Sequence, residues 1–129
     1  MSESAVRVIA DASRLGEGDA ARFTITLDGV RRDAFVLRWH GALHGWVNAC
    51  RHQSLPLDAG DARFLDGAAD AIVCVHHGAR YRPDTGGCVE GPCRGSFLTP
   101  LALEVREDGV WCLGRGTRPA PEVRGPRPA

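Results

Sequence analysis

Cys50-Arg51-His52 and Cys74-Val75-His76-His77-Gly78 are the two stretches on which the reading of this 129-residue chain turns. Each offers one thiolate and one imidazole, in the pattern C-x-H, then 21 residues, then C-x-x-H-G. One or two residues between a cysteine and a histidine let a tight turn aim both side chains at the same point. The intervening segment is long enough for a strand, a turn and a returning strand, so the two loops can meet at the tip of a small β-structure. Gly78 suits a backbone that bends sharply or brings its amides close to a bound group, where a Cβ would intrude.

Two thiolates and two imidazoles, split between two loops, match an iron–sulfur cluster in which a histidine pair replaces one cysteine pair. A structural tetrahedral zinc site, giving a zinc-binding module, is the rival, because zinc also takes Cys and His at short spacings. Zinc sites more often place two cysteines in one loop and two histidines in the other, so a mixed pair in each loop fits poorly. Chance placement of core cysteines and surface histidines is the third reading. The polar, glycine-bearing surroundings are unlike a core.

Length bounds the rest. The chain is one domain with a small core, so a metal group that ties two loops together would add useful stability. Sixteen basic and sixteen acidic residues give a formal net charge of zero, which argues against general nucleic-acid binding. All the basic residues are arginine, a compositional habit rather than a functional mark. No apolar run approaches the roughly 20 residues that span a membrane. Met1-Ser2-Glu3-Ser4-Ala5 does not open a secretory signal, so a cytoplasmic protein is expected. Five cysteines (50, 74, 88, 93 and 112) in such a compartment point to metal ligation before disulfides.

Turn chemistry punctuates short strands throughout. Residues 5–10 are rich in β-branched side chains, 11–21 are loop-like, and 22–27 alternate before Asp28-Gly29, a hairpin signal. Residues 32–40 return with Phe35, Leu37 and Trp39 on one face. Gly41-Ala42-Leu43 is expected to turn, and 44–49 then run into the first cysteine. A short strand near 63–65, a strand over 71–75, brief pairing at 80–83 and a turn at 85–87 follow. Strands at 101–106 and 110–113 flank Asp108-Gly109, a second hairpin signal. The pattern predicts an all-β domain, with no stretch of helical periodicity. From Gly114 onward the Arg/Pro/Gly/Ala-rich chain predicts a disordered tail over 114–129. Its arginines (115, 118, 124 and 127) would be solvated, or less simply a docking arm for an acidic partner.

With both loops and the Gly91-Pro92 turn in view, the chain from about 5 to 113 resembles the Rieske ferredoxin and Rieske-domain family. The resemblance implies stacked antiparallel sheets within a domain over 1–113, and a small cluster-binding subdomain inserted at about 48–97. It implies one [2Fe–2S] cluster per chain, with Cys50 and Cys74 on one iron and His52 and His77 on the other. Gly91-Pro92 corresponds to the family's proline loop, which covers the cluster; Gly78 and Tyr81 complete the surroundings. High-potential members carry an extra cysteine in each loop, joined as a disulfide. Leu55 and His76 stand there in this chain, so that brace is missing. Of the serine and tyrosine that donate hydrogen bonds to the sulfurs, Ala79 replaces the first and Tyr81 supplies the second. One lost donor implies a potential below the respiratory type.

The implied role is a one-electron carrier, a ferredoxin passing electrons from a reductase to an oxygenase, as a monomer or weak oligomer with no nucleic-acid or membrane partner. A Rieske small subunit of a larger redox enzyme, nitrite-reductase-like, is the alternative. No residue is placed as acid, base or nucleophile, so the chain reads as an electron-transfer component and not as an enzyme. Cys88 and Cys93, flanking Gly91-Pro92, could join as a local disulfide or stay as thiols; thiols are favoured in the cytosol.

Overall fold

A computed structural model describes residues 5–49, 57–58, 63–65, 71–74, 78–91, 94–116 and 123–124. Among these residues ten strands follow in order: β1 (Val6–Ile9), β2 (Ala20–Leu27), β3 (Val30–Trp39), β4 (Ala42–Val47), β5 (Ile72–Val73), β6 (Arg80–Tyr81), β7 (Cys88–Glu90), β8 (Pro100–Arg106), β9 (Gly109–Arg115) and β10 (Val123–Arg124). The larger sheet runs β1-β9-β8-β4-β3-β2, with β10 beside β4, and the smaller runs β5-β6-β7. Every pairing is antiparallel. The large sheet curls until its edge strands β1 and β2 approach each other. The small sheet is an insertion between β4 and β8, and the all-β expectation holds.

Phe35, Leu37 and Trp46 point into one apolar cluster, which also holds Leu57, Phe64, Ile72, Cys74, Ala79, Tyr81, Cys88 and Leu98; Trp39 packs at its margin. Ala34, Val36, Leu43 and Val47 point the other way, into a second cluster with Ile25, Leu27, Leu101, Val110 and Cys112. Strands β3 and β4 are therefore the wall between two cores. This is why residues 34–38 and 42–47 are buried without a break, although a sheet with one wet face would alternate.

The β2–β3 hairpin turns at Asp28-Gly29, both at positive φ (51° and 79°), as a two-residue loop requires. The β3–β4 turn corrects the expectation. It lies at His40-Gly41, again at positive φ (51° and 80°), and Ala42 and Leu43 belong to β4. Histidine is an unusual residue for that conformation. Tertiary contacts enforce it: the Glu17 carboxylate accepts the backbone N–H groups of His40 and Gly41, and the His40 ring stacks on Trp39 at 3.7 Å. The buried guanidinium of Arg38 donates to the carbonyls of Ala12, Leu15 and Gly41. The β8–β9 loop is Glu107-Asp108, one residue earlier than expected, and Gly109 opens β9.

Two described features lie within the stretch read as a tail. Strand β9 runs on to Arg115, and Val123–Arg124 pairs with Leu43 and Ala42 of β4. Backbone pairing needs no apolar side chain, so composition gave no sign of it.

Candidate metal centre

Strand β4 carries the chain straight to the first Cys/His stretch. Val47 N–H donates to the Thr99 carbonyl (3.0 Å) and Asn48 N–H to the Asp33 carbonyl (2.8 Å), which keeps the strand's last residues in the framework. The Asn48 side chain then reaches across to the residues that follow the stretch. Its Oδ1 accepts the Leu57 N–H at 2.7 Å and its Nδ2 donates to Asp58 Oδ1 at 3.0 Å. Arg22 Nε on β2 lies 3.6 Å from Asp58 Oδ2, and Arg22 also lies 3.8 Å from the Asp33 carboxylate. The Asp58 side chain is fully buried, and a carboxylate taken from water needs such partners.

The second stretch is held by backbone. Strand β5 delivers Cys74, whose N–H donates to the Ala79 carbonyl (2.9 Å) while its own carbonyl accepts from Gly78 (2.9 Å). These bonds close a tight turn, and Gly78 lies at φ +69° with open space where a Cβ would stand. The Cys74 side chain is fully buried, in the same apolar cluster as Leu57, Ala79 and Tyr81. The chain just after the first stretch and the start of the second thus share one packed cluster. Phe64 adds a further tie, stacking on Phe35 of the framework at 3.8 Å.

Two glycines set the small sheet against its neighbours. A Cβ on Gly91 (φ +102°) would come within 2.8 Å of the Ala79 Cα, so the turn at 91 lies directly on the backbone of the second stretch. A Cβ on Gly86 (φ +74°) would meet the Trp46 ring at 2.6 Å, and Trp46 Nε1 donates to the Pro83 carbonyl at 3.3 Å. Around Gly91 the chain is tied off by Cys88 N–H to the Ser96 carbonyl (2.8 Å) and Gly95 N–H to the Cys88 carbonyl (3.2 Å). The Cys88 thiol donates to the Glu90 carbonyl at 3.2 Å. Nearby, Arg82 and Asp84 form a two-pronged pair (3.0 and 2.8 Å). Partial burial pushes the Asp84 carboxyl up, but the hydrogen bonds and charge of Arg82 outweigh it and hold the group below its ordinary value.

Of the residues named from sequence, Cys74, Gly78, Tyr81 and Gly91 come together here, with Ala79 fully buried between them. Cys50, His52, His77 and Pro92 lie outside the described residues, as do Leu55, His76 and Cys93. The described part suits a buried metal group. It supplies a thiol with no exposure, a tight turn ending in glycine, and a second loop closing over that turn. Sequence reading missed Asn48, Asp58 and Arg22. Their signal was an Asn and an Asp just outside the Cys/His stretch, which a search confined to ligands passes over. Among the described residues no helix is long and apolar enough to cross a membrane.

A family model for the Rieske [2Fe-2S] domain matches residues 5–106. Among solved structures, the chain is similar to the ferredoxin of carbazole 1,9a-dioxygenase from Nocardioides aromaticivorans IC177, with 22% identity and a TM-score of 0.66 over 86% of this chain and 98% of that one. A complex of reduced oxygenase and oxidized ferredoxin in carbazole 1,9a-dioxygenase gives 24% identity and a TM-score of 0.68 over 88% and 97%. The terminal oxygenase of carbazole 1,9a-dioxygenase from Novosphingobium sp. KA1 gives 19% and 0.66 over 97% of this chain but only 31% of that one. No curated protein sequence matches the chain. At these identities the solved structures establish the fold.

Proposed function

The chain belongs to the Rieske [2Fe–2S] domain family, and on that premise we propose that it is a ferredoxin, carrying single electrons from a reductase to an oxygenase. A [2Fe–2S] cluster of this type supplies one reversible one-electron centre when bound. Cys50 and Cys74 are its thiolate ligands on this reading, and His52 and His77 its imidazole ligands. The remaining chain does three things for it. The backbone bonds among residues 74, 78 and 79 would fix one thiolate, Gly91 seated on Ala79 would hold the neighbouring turn against it, and the buried Tyr81 would lend its hydroxyl dipole. Hydrogen bonding toward the sulfurs favours the reduced state, so Ala79 in place of a hydroxyl residue sets a lower potential than a fully bonded site would have.

The observation that carries the reading is the family match over residues 5–106, joined by the structural likeness to a ferredoxin of which the chain covers 98%. The role is electron transfer between proteins in the cytoplasm, with a monomer or weak oligomer as the working form.

The test is a two-step anaerobic transfer followed by visible absorbance. The loaded protein should bleach with NADH and a catalytic amount of a ferredoxin reductase, and recover, still without oxygen, when an excess of an oxidised Rieske-type oxygenase is added. Reduction by dithionite but by no reductase, together with persistent co-purification with a large redox enzyme, would replace the carrier with a tightly bound subunit.

A further inference from the structure

We infer that Asn48 and Asp58 form a clasp across the mouth of the first ligand loop, which makes Asn48 a positioning residue for Cys50 and His52. The inference rests on the ligand assignment above and adds what holds those ligands in place. Asn48 stands two residues before Cys50, and Leu57 and Asp58 stand five and six residues after His52. The side-chain amide of Asn48 spends both its groups on that far side, accepting from Leu57 N–H at 2.7 Å and donating to Asp58 at 3.0 Å. This pairing fixes which end of the amide is oxygen, because only an oxygen can accept from the Leu57 N–H.

Burial gives the clasp its strength. Asn48 is 4% exposed and Asp58 is 2% exposed, so neither can trade its partner for water. Opening the loop would strand a buried amide and a buried carboxylate, the most costly kind of unmade hydrogen bond. Both anchors are themselves fixed. Asn48 is tied through its N–H to Asp33 on β3, Arg22 of β2 flanks the Asp58 carboxylate, and Leu57 is packed in the cluster that contains Cys74. Framework strands thus reach through Asn48 to both ends of the loop, and Leu57 transmits the position to the second ligand stretch. The second stretch closes on itself through backbone bonds. The described ends of the first are joined through a side chain.

Loss of the clasp should loosen the cluster before it unfolds the protein. Partners behind a metal ligand commonly account for about 10–100-fold in metal affinity, and Asn48→Ala should speed cluster loss by about that factor. The measurement is decay of visible absorbance after an iron chelator is added to the loaded protein, well below the melting temperature, alongside hydrogen–deuterium exchange of the peptide that contains Leu57. Val110→Ala, a cavity in the core on the other side of the β3–β4 wall, is the control for lowered stability alone. The clasp predicts fast loss and fast Leu57 exchange in Asn48→Ala, and a wild-type rate in Val110→Ala. It also predicts that Asp58→Ala acts in the same direction, and that the double variant is far less impaired than the product of the two singles. Should Asn48→Ala not fold, Asp58→Ala against Val110→Ala makes the same comparison. A wild-type rate in the clasp variants, equal acceleration in Val110→Ala, or independent effects in the double variant would overturn the inference. Failure of the ligand assignment looks different: Cys50→Ala would then keep its cluster.

Discussion

The two Cys/His stretches are anchored by different means at their described ends. The second is a turn whose geometry follows from backbone bonds between residues 74, 78 and 79, with a glycine at its end and another glycine pressed on it from residue 91. The first is spanned from outside by the Asn48 side chain, with Asp58 and Arg22 behind it. The backbone ties at residues 74, 78 and 79 should tolerate most side-chain changes and be sensitive at Gly78 and Gly91. The tie between residue 48 and residues 57 and 58 runs through one amide, which a single truncation removes. The Cys/His pattern is similar in both stretches; the vulnerability of these ties is not.

Ligand truncation should erase that difference and give the largest effect. Cys74→Ala and Cys50→Ala should both abolish the visible absorption of the purified protein, and retention of the spectrum by either would remove that residue from the ligand set. Next in size is Gly91→Ala. Alanine is strained at φ +102°, and its Cβ would fall 2.8 Å from the Ala79 Cα. A loss of about 1–3 kcal/mol in unfolding free energy is expected, with faster cluster loss as the covering turn lifts from the second loop. Denaturant titration of the loaded protein reads the first quantity; an unchanged midpoint would mean that the turn is not seated on Ala79.

Tyr81→Phe keeps the packed ring and removes only the hydroxyl. It should lower the reduction potential by on the order of 60 mV, the equivalent of a tenfold change for one electron, and Ala79→Ser should move it upward. Protein-film voltammetry reads both, and a Tyr81→Phe potential equal to wild type would remove the hydroxyl from the redox account. The smallest effect belongs to Asp84→Asn, at the Trp46 side of the small sheet. Arg82 holds the Asp84 carboxyl below its ordinary value of 3.8. The stability contributed by the pair is therefore present above that value and lost as pH falls through the lower folded value. A half-exposed pair contributes less than about 1 kcal/mol, so the variant should be slightly less stable at neutral pH and converge on wild type under acid. A gap that widened as pH fell would contradict the assignment.

Much of this was legible from local chemistry. Asp28-Gly29 announced its hairpin because both residues tolerate positive φ, and Phe35, Leu37 and Trp39 fell on one face because a strand alternates. The Cys/His spacing, with Gly91-Pro92, pointed to the family. What escaped was set by distant contacts. The turn at His40-Gly41 depends on Glu17 and on the Trp39 ring, and no local rule places histidine there. The unbroken burial of β3 and β4 depends on cores on both sides. Pairing of Val123–Arg124 with β4 uses backbone groups alone, so an arginine- and proline-rich composition masked it. Asn48 and Asp58 drew no notice in the sequence, because nothing local shows that the fold buries them together.

The most direct test of the central claim is the EPR spectrum of the purified protein after reduction with dithionite. Two thiolates and two imidazoles on one [2Fe–2S] cluster predict a red-brown protein whose reduced signal has the low average g value of mixed ligation. A signal with the higher average g of an all-thiolate cluster would contradict the histidine ligands. A colourless, EPR-silent protein holding stoichiometric zinc would contradict the electron carrier itself.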